Sequence, residues 1–365
     1  MERCLRKFIV DSLTGPKGLH GRCRARGWSI LASGLICVFG GMACAVHAPN
    51  DHGDFEHDFI SQERPWSHER FDARGEGFSF AVFSDLTGGE RHGVFEVAMA
   101  QLNLLRPAFI IGVGDLIEGE SDDRRAIDAQ WDDFDQRAAS ARAPVFYVGG
   151  NHDLSGVALQ RAWDERMGRR YYHFIYRNTL FMVLDTEDHS ESRTREIAKL
   201  RAEALKRVSE EGWGIYAETE YHALPEYAAG NVSVEQARYF TDVISRHPEV
   251  HWTFLFLHKA AWLREDDSGF ALIEAALSNR NYTVFHGHEH AFQYRQRHGR
   301  DYIQLATTGG VQLPDKGRSM DHVMLVTVVD EGVDIASLLM EGILDRTGEL
   351  PAGGVELCLG SVDCN

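Results

Sequence analysis

The 365-residue chain reads as an α/β fold, and three observations predict it. Strand-like and helix-like stretches alternate between residues 78 and 148. One of them, Phe109-Ile110-Ile111-Gly112-Val113, is apolar throughout, as expected of a strand covered on both faces. After residue 290 the chain turns to successive β-type stretches. This pattern calls for sheet with covering helices, and ligands in such folds bind beyond the carboxyl ends of the strands.

The elements follow in order. Residues 78–83 (Phe-Ser-Phe-Ala-Val-Phe) are strand-like, and 94–105 place apolar residues at helical spacing. The apolar strand at 109–113 comes next, then a polar amphipathic helix over 122–139 and a strand at 145–148. Residues 171–184 predict a hairpin with Arg177-Asn178 at its turn. An insertion spans about 188–230 and opens with a helix that aligns Ile197, Leu200, Ala204 and Val208 and closes at Gly212. A substrate cap, an oligomer contact and plain surface elaboration are all open readings of it. A helix at 234–244, a strand at 252–257, a helix at 270–277 and a strand at 282–285 complete the alternation. Strands are expected at 291–296, 301–306, 322–329 and 333–339.

The flanks set the context. The formal charge is −17, and with +5 in residues 1–45 the body carries −22. So acidic a body excludes non-specific nucleic-acid binding, which needs clustered Lys and Arg against phosphates. Residues 28–46 are uncharged, follow Arg22, Arg24 and Arg26, and contain Ala43-Cys44-Ala45. They read as an export signal or a retained membrane anchor, either of which puts the body outside the cytoplasm, periplasmic or extracellular. Residues 46–77 read as a polar linker, with His47, His52 and His57 solvated, and 346–365 as a C-terminal tail. Cys358 and Cys364 are the two cysteines of the body, and they read as one disulfide or as two free thiols.

Five polar clusters stand at predicted strand exits. They are Ser84-Asp85-Leu86-Thr87, Gly114-Asp115-Leu116-Ile117-Glu118, Gly149-Gly150-Asn151-His152-Asp153, His258, and His286-Gly287-His288-Glu289-His290. Singly, each has a dull explanation as a cap or a turn. Together they place carboxylate, amide and imidazole donors along one edge of the predicted sheet, which is the donor mix of a metal site.

In this order the clusters resemble those of the calcineurin-like metallophosphoesterase superfamily, over about residues 78–339. The Gly-Asn-His-Asp run at 150–153 and the Gly-His-Glu-His run at 287–290 carry most of the resemblance. It implies a four-layer sandwich, with two mixed β-sheets packed face to face and flanked by helices, in a domain over 78–345. It implies two divalent or trivalent ions, drawn from Fe, Mn, Zn or Co. Asp115 would bridge them, Asp85 and His290 would complete one site, and Asn151, His258 and His288 the other. His152 would stabilise the transition state or protonate the leaving oxygen, and Asp153 would orient His152. The implied activity is hydrolysis of a phosphorylated small molecule, monoester or diester.

One residue departs from the pattern. Thr87 stands where the first motif usually has histidine. Glu118 and His92 are candidates to fill the gap, and for Glu118 a place just outside the ligands is the alternative. Arg91 and His92 are also candidates for contacting substrate phosphate. His286 is expected to end its strand, Glu289 to point away from the metals, and His173 to be structural. Thr87 also raises a second reading, a catalytically weakened relative that binds metal and phosphate.

Overall fold

The computed structural model describes residues 54–72, 75, 77–264 and 268–357. The leader read as signal or anchor, Cys358 and Cys364 lie outside them. No helix among the described residues is long and apolar enough to cross a membrane.

The elements run in chain order β1 (Phe55–His57), β2 (Phe78–Phe83), α1 (Val94–Leu105), β3 (Ile110–Val113), α2 (Arg124–Ala138), β4 (Val145–Val148), α3 (Asn151–Leu154) and α4 (Val157–Arg166). They continue as β5 (Tyr172–Tyr176), β6 (Thr179–Val183), α5 (Glu191–Glu211), α6 (Pro225–Ala228), α7 (Val234–Arg246), β7 (Trp252–Phe256), α8 (Ser268–Ala276) and β8 (Tyr282–His286). The strands β9 (Gln293–Arg297), β10 (Arg300–Gln304), β11 (His322–Val329) and β12 (Gly332–Leu339) close the fold. Local chemistry sets several boundaries. The side chains of Asp123, Ser190 and Ser233 accept backbone N–H groups at the starts of α2, α5 and α7. Arg177 and Asn178 adopt φ of 45° and 58°, the left-handed pair that a two-residue hairpin requires.

The strands form two mixed sheets. One has seven strands in the order β1-β5-β6-β7-β8-β10-β9, the other five in the order β12-β11-β2-β3-β4. Between them lies an aromatic core. Phe146 stacks on Phe174 at 4.3 Å, and Phe109 meets Phe181 edge-on at 5.1 Å. Burying each such ring stabilises the fold by about 2 kcal/mol. Helices α1, α2 and α4 cover the outer face of the five-stranded sheet through Phe95, Trp131 and Trp163. Helices α7 and α8 cover the seven-stranded sheet through Phe240 and Phe270. Helix, sheet, sheet and helix make the four layers.

The linker reading fails from residue 54 onward. β1 pairs antiparallel with β5, and Trp66 is buried against Phe146, 5.4 Å between ring centroids. A three-residue edge strand and one isolated tryptophan are too short to show periodicity, so the sequence hid them. The tail also packs in part: Leu357 sits against Gly93 at the start of α1.

Two buried histidines make stability pH-dependent. The Ala306 N–H donates to His322 Nε2 at 2.9 Å, so that nitrogen cannot carry a proton. Burial, aided by Arg318, lowers the His322 pKa to about 3, and burial outweighs Asp58 to lower that of His173 to about 4. Both are therefore neutral in the folded state and titrate near 6.5 when unfolded. Their contribution is complete above pH 6.5 and fades as pH falls toward the folded values, by about 2 kcal/mol each at pH 5. Thermal melts of wild type and His322→Gln at pH 7 and pH 5 should differ by this His322 contribution, the variant losing about 2 kcal/mol less on acidification.

Candidate metal centre

The carboxyl ends of parallel strands in both sheets meet at one place. β2, β3 and β4 deliver Asp85, Asp115 and Asn151 from the five-stranded sheet, and β7 and β8 deliver His258, His288 and His290 from the other. Two groups result, Asp115 with His258 and His288, and Asp85 with Asp115 and His290. In each group one donor atom per residue falls within 4.8 Å of the others. Asp115 belongs to both. His258 Nε2 is 3.1 Å from Asp115 Oδ2, and His290 Nε2 is 3.4 Å from Asp85 Oδ1.

Hydrogen bonds fix which nitrogen of each imidazole is available. His258 Nδ1 lies 2.9 Å from the Val113 carbonyl, His290 Nδ1 2.6 Å from that of Val311, and His288 Nε2 2.7 Å from that of Tyr227. A carbonyl only accepts, so each of these nitrogens carries a proton, and the other nitrogen of each ring is the one that can offer a lone pair to a cation. Asn151 Oδ1 is buried with no hydrogen-bond partner, and His258 Nε2 faces Asp115 Oδ2, where a proton or a cation must sit between them. An orphaned amide oxygen beside two carboxylates is costly unless a cation meets it. By this measure the residues fit a metal centre.

The carboxylates compete for charge. All are buried, which favours the protonated form, but His258 and then His152 hold Asp115 well below the usual range. Burial and the neighbouring Asp115 push Asp153 up to about 7, and burial raises Asp85 against the pull of His290. The Asp115 carboxylate in turn lifts His258 to about 9, against the effect of its burial.

The backbone is bent to make this convergence. Asp85, Asp115, His288 and His290 adopt φ of 54°, 54°, 78° and 54°. Each left-handed non-glycine residue costs about 1 kcal/mol. Glycines permit the close approaches: a Cβ on Gly287 would lie 2.3 Å from Asp85 Oδ2.

The remaining candidates need correction. Thr87 does not face the centre, because its hydroxyl lies 3.0 and 2.8 Å from the carbonyls of Asp115 and Ile117 and so pins two loops together. The Glu118 carboxylate accepts the backbone N–H groups of Gly88, Gly89 and Glu90 at 3.3, 3.1 and 2.9 Å. It is a loop anchor, so Glu118→Ala should leave metal content unchanged and lower stability by about 1–2 kcal/mol. Metal analysis beside a melting curve checks this. His92 is 89% exposed beside Glu90 and belongs to neither donor group. Arg91 is held by Asp321, with Nη1 at 2.9 Å from Oδ2, so its guanidinium supports a loop.

Asp153 does not orient His152. Its Oδ1 accepts from the Leu116 and Ile117 amides at 3.0 and 3.1 Å, and its Oδ2 from Gly150 at 2.7 Å. His152 is oriented instead by the Glu118 carbonyl, 2.7 Å from Nδ1. His286 ends its strand buried against Trp262, and Glu289 is tied to Lys316 at 2.8 Å. His173 bonds Tyr239 at 2.6 Å, a structural place.

Sequence reasoning missed Arg201. It sits on the buried face of α5, in register with Ile197, Ala204 and Val208, and its Nη2 is 3.3 Å from His152 Nε2. The signal was present: a charged residue occupied a core position of an amphipathic stripe.

The family model for calcineurin-like phosphoesterases matches residues 78–292, more than half of the chain. The chain belongs to the calcineurin-like phosphoesterase family. No curated relative matches the chain. Among solved structures it is similar to a dimetal phosphatase from Danio rerio, with 14% identity and a TM-score of 0.51, over 72% of this chain and 96% of that one. A purple acid phosphatase from yellow lupin is 11% identical with a TM-score of 0.47, over 76% and 53%. The first of these likenesses supports the two-sheet fold and nothing finer.

Proposed function

We propose that this family member hydrolyses phosphate esters through two metal ions held by Asp85, Asp115, Asn151, His258, His288 and His290. The observation that carries the reading is the pair of donor groups sharing Asp115, with the orphaned Asn151 oxygen beside them. Bound ions would polarise the phosphoryl group and supply hydroxide near neutral pH. The protein's own part is to hold donors and substrate. Backbone carbonyls set the three imidazoles, and the Glu118 carbonyl sets His152 with Nε2 free to accept. Metal identity follows supply at such a nitrogen and oxygen site. The uncharged run at 28–46 supports export of the body.

A second reading, metal and phosphate binding without turnover, is favoured by Thr87 and Glu118, whose side chains are both tied to loop backbone. One experiment separates the two. The chain is assayed on an aryl phosphate and a bis-aryl phosphate with Mn, Zn or Fe, and again with chelator. Metal-dependent turnover is expected, and bound metal with no turnover under any condition would refute the enzyme reading.

A further inference from the structure

We propose that Arg201, carried into the centre by α5 of the insertion, grips a non-bridging oxygen of the substrate phosphate and biases the site toward dianionic monoesters. This rests on the phosphoesterase reading above.

Arg201 is only 8% exposed. One arm is anchored, with Nη1 at 3.3 Å from the Asn151 carbonyl and 3.0 Å from Ser155 Oγ. The other arm, Nη2, meets the Glu120 carboxylate and stands 3.3 Å from His152 Nε2. A guanidinium only donates, so His152 Nε2 is the acceptor in that contact, and at this length the bond is weak. A phosphate oxygen is a stronger acceptor for the same arm.

The arm is also in the right place. A Cβ on Gly88 would lie 3.6 Å from His152 Nε2 and 3.2 Å from His290 Nε2, so the missing side chain keeps open a gap that both rings face. Nη2 points at the His152 edge of this gap. The Gly119-Glu120 loop packs directly on His152: the two residues have φ of 66° and 50°, and a Cβ on Gly119 would strike the His152 carbonyl at 2.0 Å. Two lysines near the centre each pair with a carboxylate, as Arg201 does with Glu120. Lys259 Nζ lies 2.7 Å from Glu187 Oε1, and Lys316 Nζ 2.8 Å from Glu289 Oε2. Arg201 is set apart by its place, 3.3 Å from His152 Nε2, so its positive charge lies at the His152 edge, where Glu120 offsets part of it. A phosphate monoester carries nearly two negative charges near neutral pH and a diester one, so the monoester gains more from it.

The full chain is loaded with Mn, and wild type, Arg201→Ala, Arg201→Lys and Glu120→Gln are compared. The readouts are kcat/KM on p-nitrophenyl phosphate and on bis(p-nitrophenyl) phosphate, calorimetric affinity for inorganic phosphate, and metal content. Arg201→Ala should lower kcat/KM on the monoester about 100-fold and on the diester less than about fivefold, with phosphate binding at least about tenfold weaker and metal content unchanged. Arg201→Lys should recover part of the loss. Glu120→Gln, which frees Nη2, should bind phosphate at least as tightly as wild type. Equal losses on both substrates, unchanged phosphate affinity, loss of metal in Arg201→Ala, or a Glu120→Gln variant that copies Arg201→Ala would each overturn the inference. If wild type turns over neither substrate, the phosphoesterase reading falls, and phosphate affinity alone then decides the role of Arg201.

Discussion

Asp115→Asn is expected to reduce phosphoesterase turnover by at least about 10³-fold, roughly 4 kcal/mol in the barrier. The same variant should fail to retain its full metal content after dialysis. The reason is position. Asp115 belongs to both donor groups, so neutralising its side chain weakens two sites at once. Its Oδ1 also accepts the His152 N–H at 2.9 Å, and the substitution offers an amide in place of that acceptor. Loss at Asp85 or His290 should be confined to one site, so metal counts for Asp85→Asn and His290→Ala should exceed those for Asp115→Asn. Equal metal content in wild type and Asp115→Asn would contradict the shared-ligand geometry.

Gly150→Ala should be nearly as damaging, although it removes no functional group. The added Cβ would lie 2.3 Å from Asp115 Oδ1, 2.4 Å from the Asp115 backbone nitrogen and 3.0 Å from His258 Cγ. The backbone nitrogen cannot move aside alone, so the whole Asp115 loop must shift. Overpacking of this kind costs about 2 kcal/mol of stability. A displacement near 1 Å at the reacting groups costs about 10²-fold in rate. Gly214→Ala is the control, because its Cβ would have nothing within 4 Å. A Gly150→Ala variant with wild-type turnover and melting temperature would show that the loop has slack.

Much of this centre was legible in the sequence, and the reason is periodicity. Residues 78–83, 94–105, 145–148 and 322–329 carry strand or helix patterns along their whole length, and the elements fall on those bounds. Once the strands were placed, Asp85, Asp115, Asn151, His258, His288 and His290 had to stand at their exits. What was not legible depends on contacts remote in the chain. Asp153 looked like the partner of His152 because it follows it, yet its carboxylate turns to the Leu116 and Ile117 amides. Glu118 stayed open between a ligand and a place just outside the ligands, because the three amides of the Gly88–Glu90 loop that take its carboxylate lie about 30 residues away. Arg201 reaches His152 only because α5 folds back over a distance that no local pattern encodes. β1 escaped because three residues at a sheet edge cannot show alternation.

The carbonyl of Tyr227, which fixes the His288 ring, has a consequence for protein engineering. Peripheral segments of a fold are commonly treated as interchangeable cassettes, to be trimmed or swapped for a relative's shorter loop. Here residues 188–230 are no such cassette, because one end of the segment supplies the group that selects the His288 tautomer. A chimera that lacked it could keep every donor residue and still present the wrong nitrogen. Truncation in this region would therefore act on coordination chemistry, and transplanting the centre would require its outer wall to travel with it.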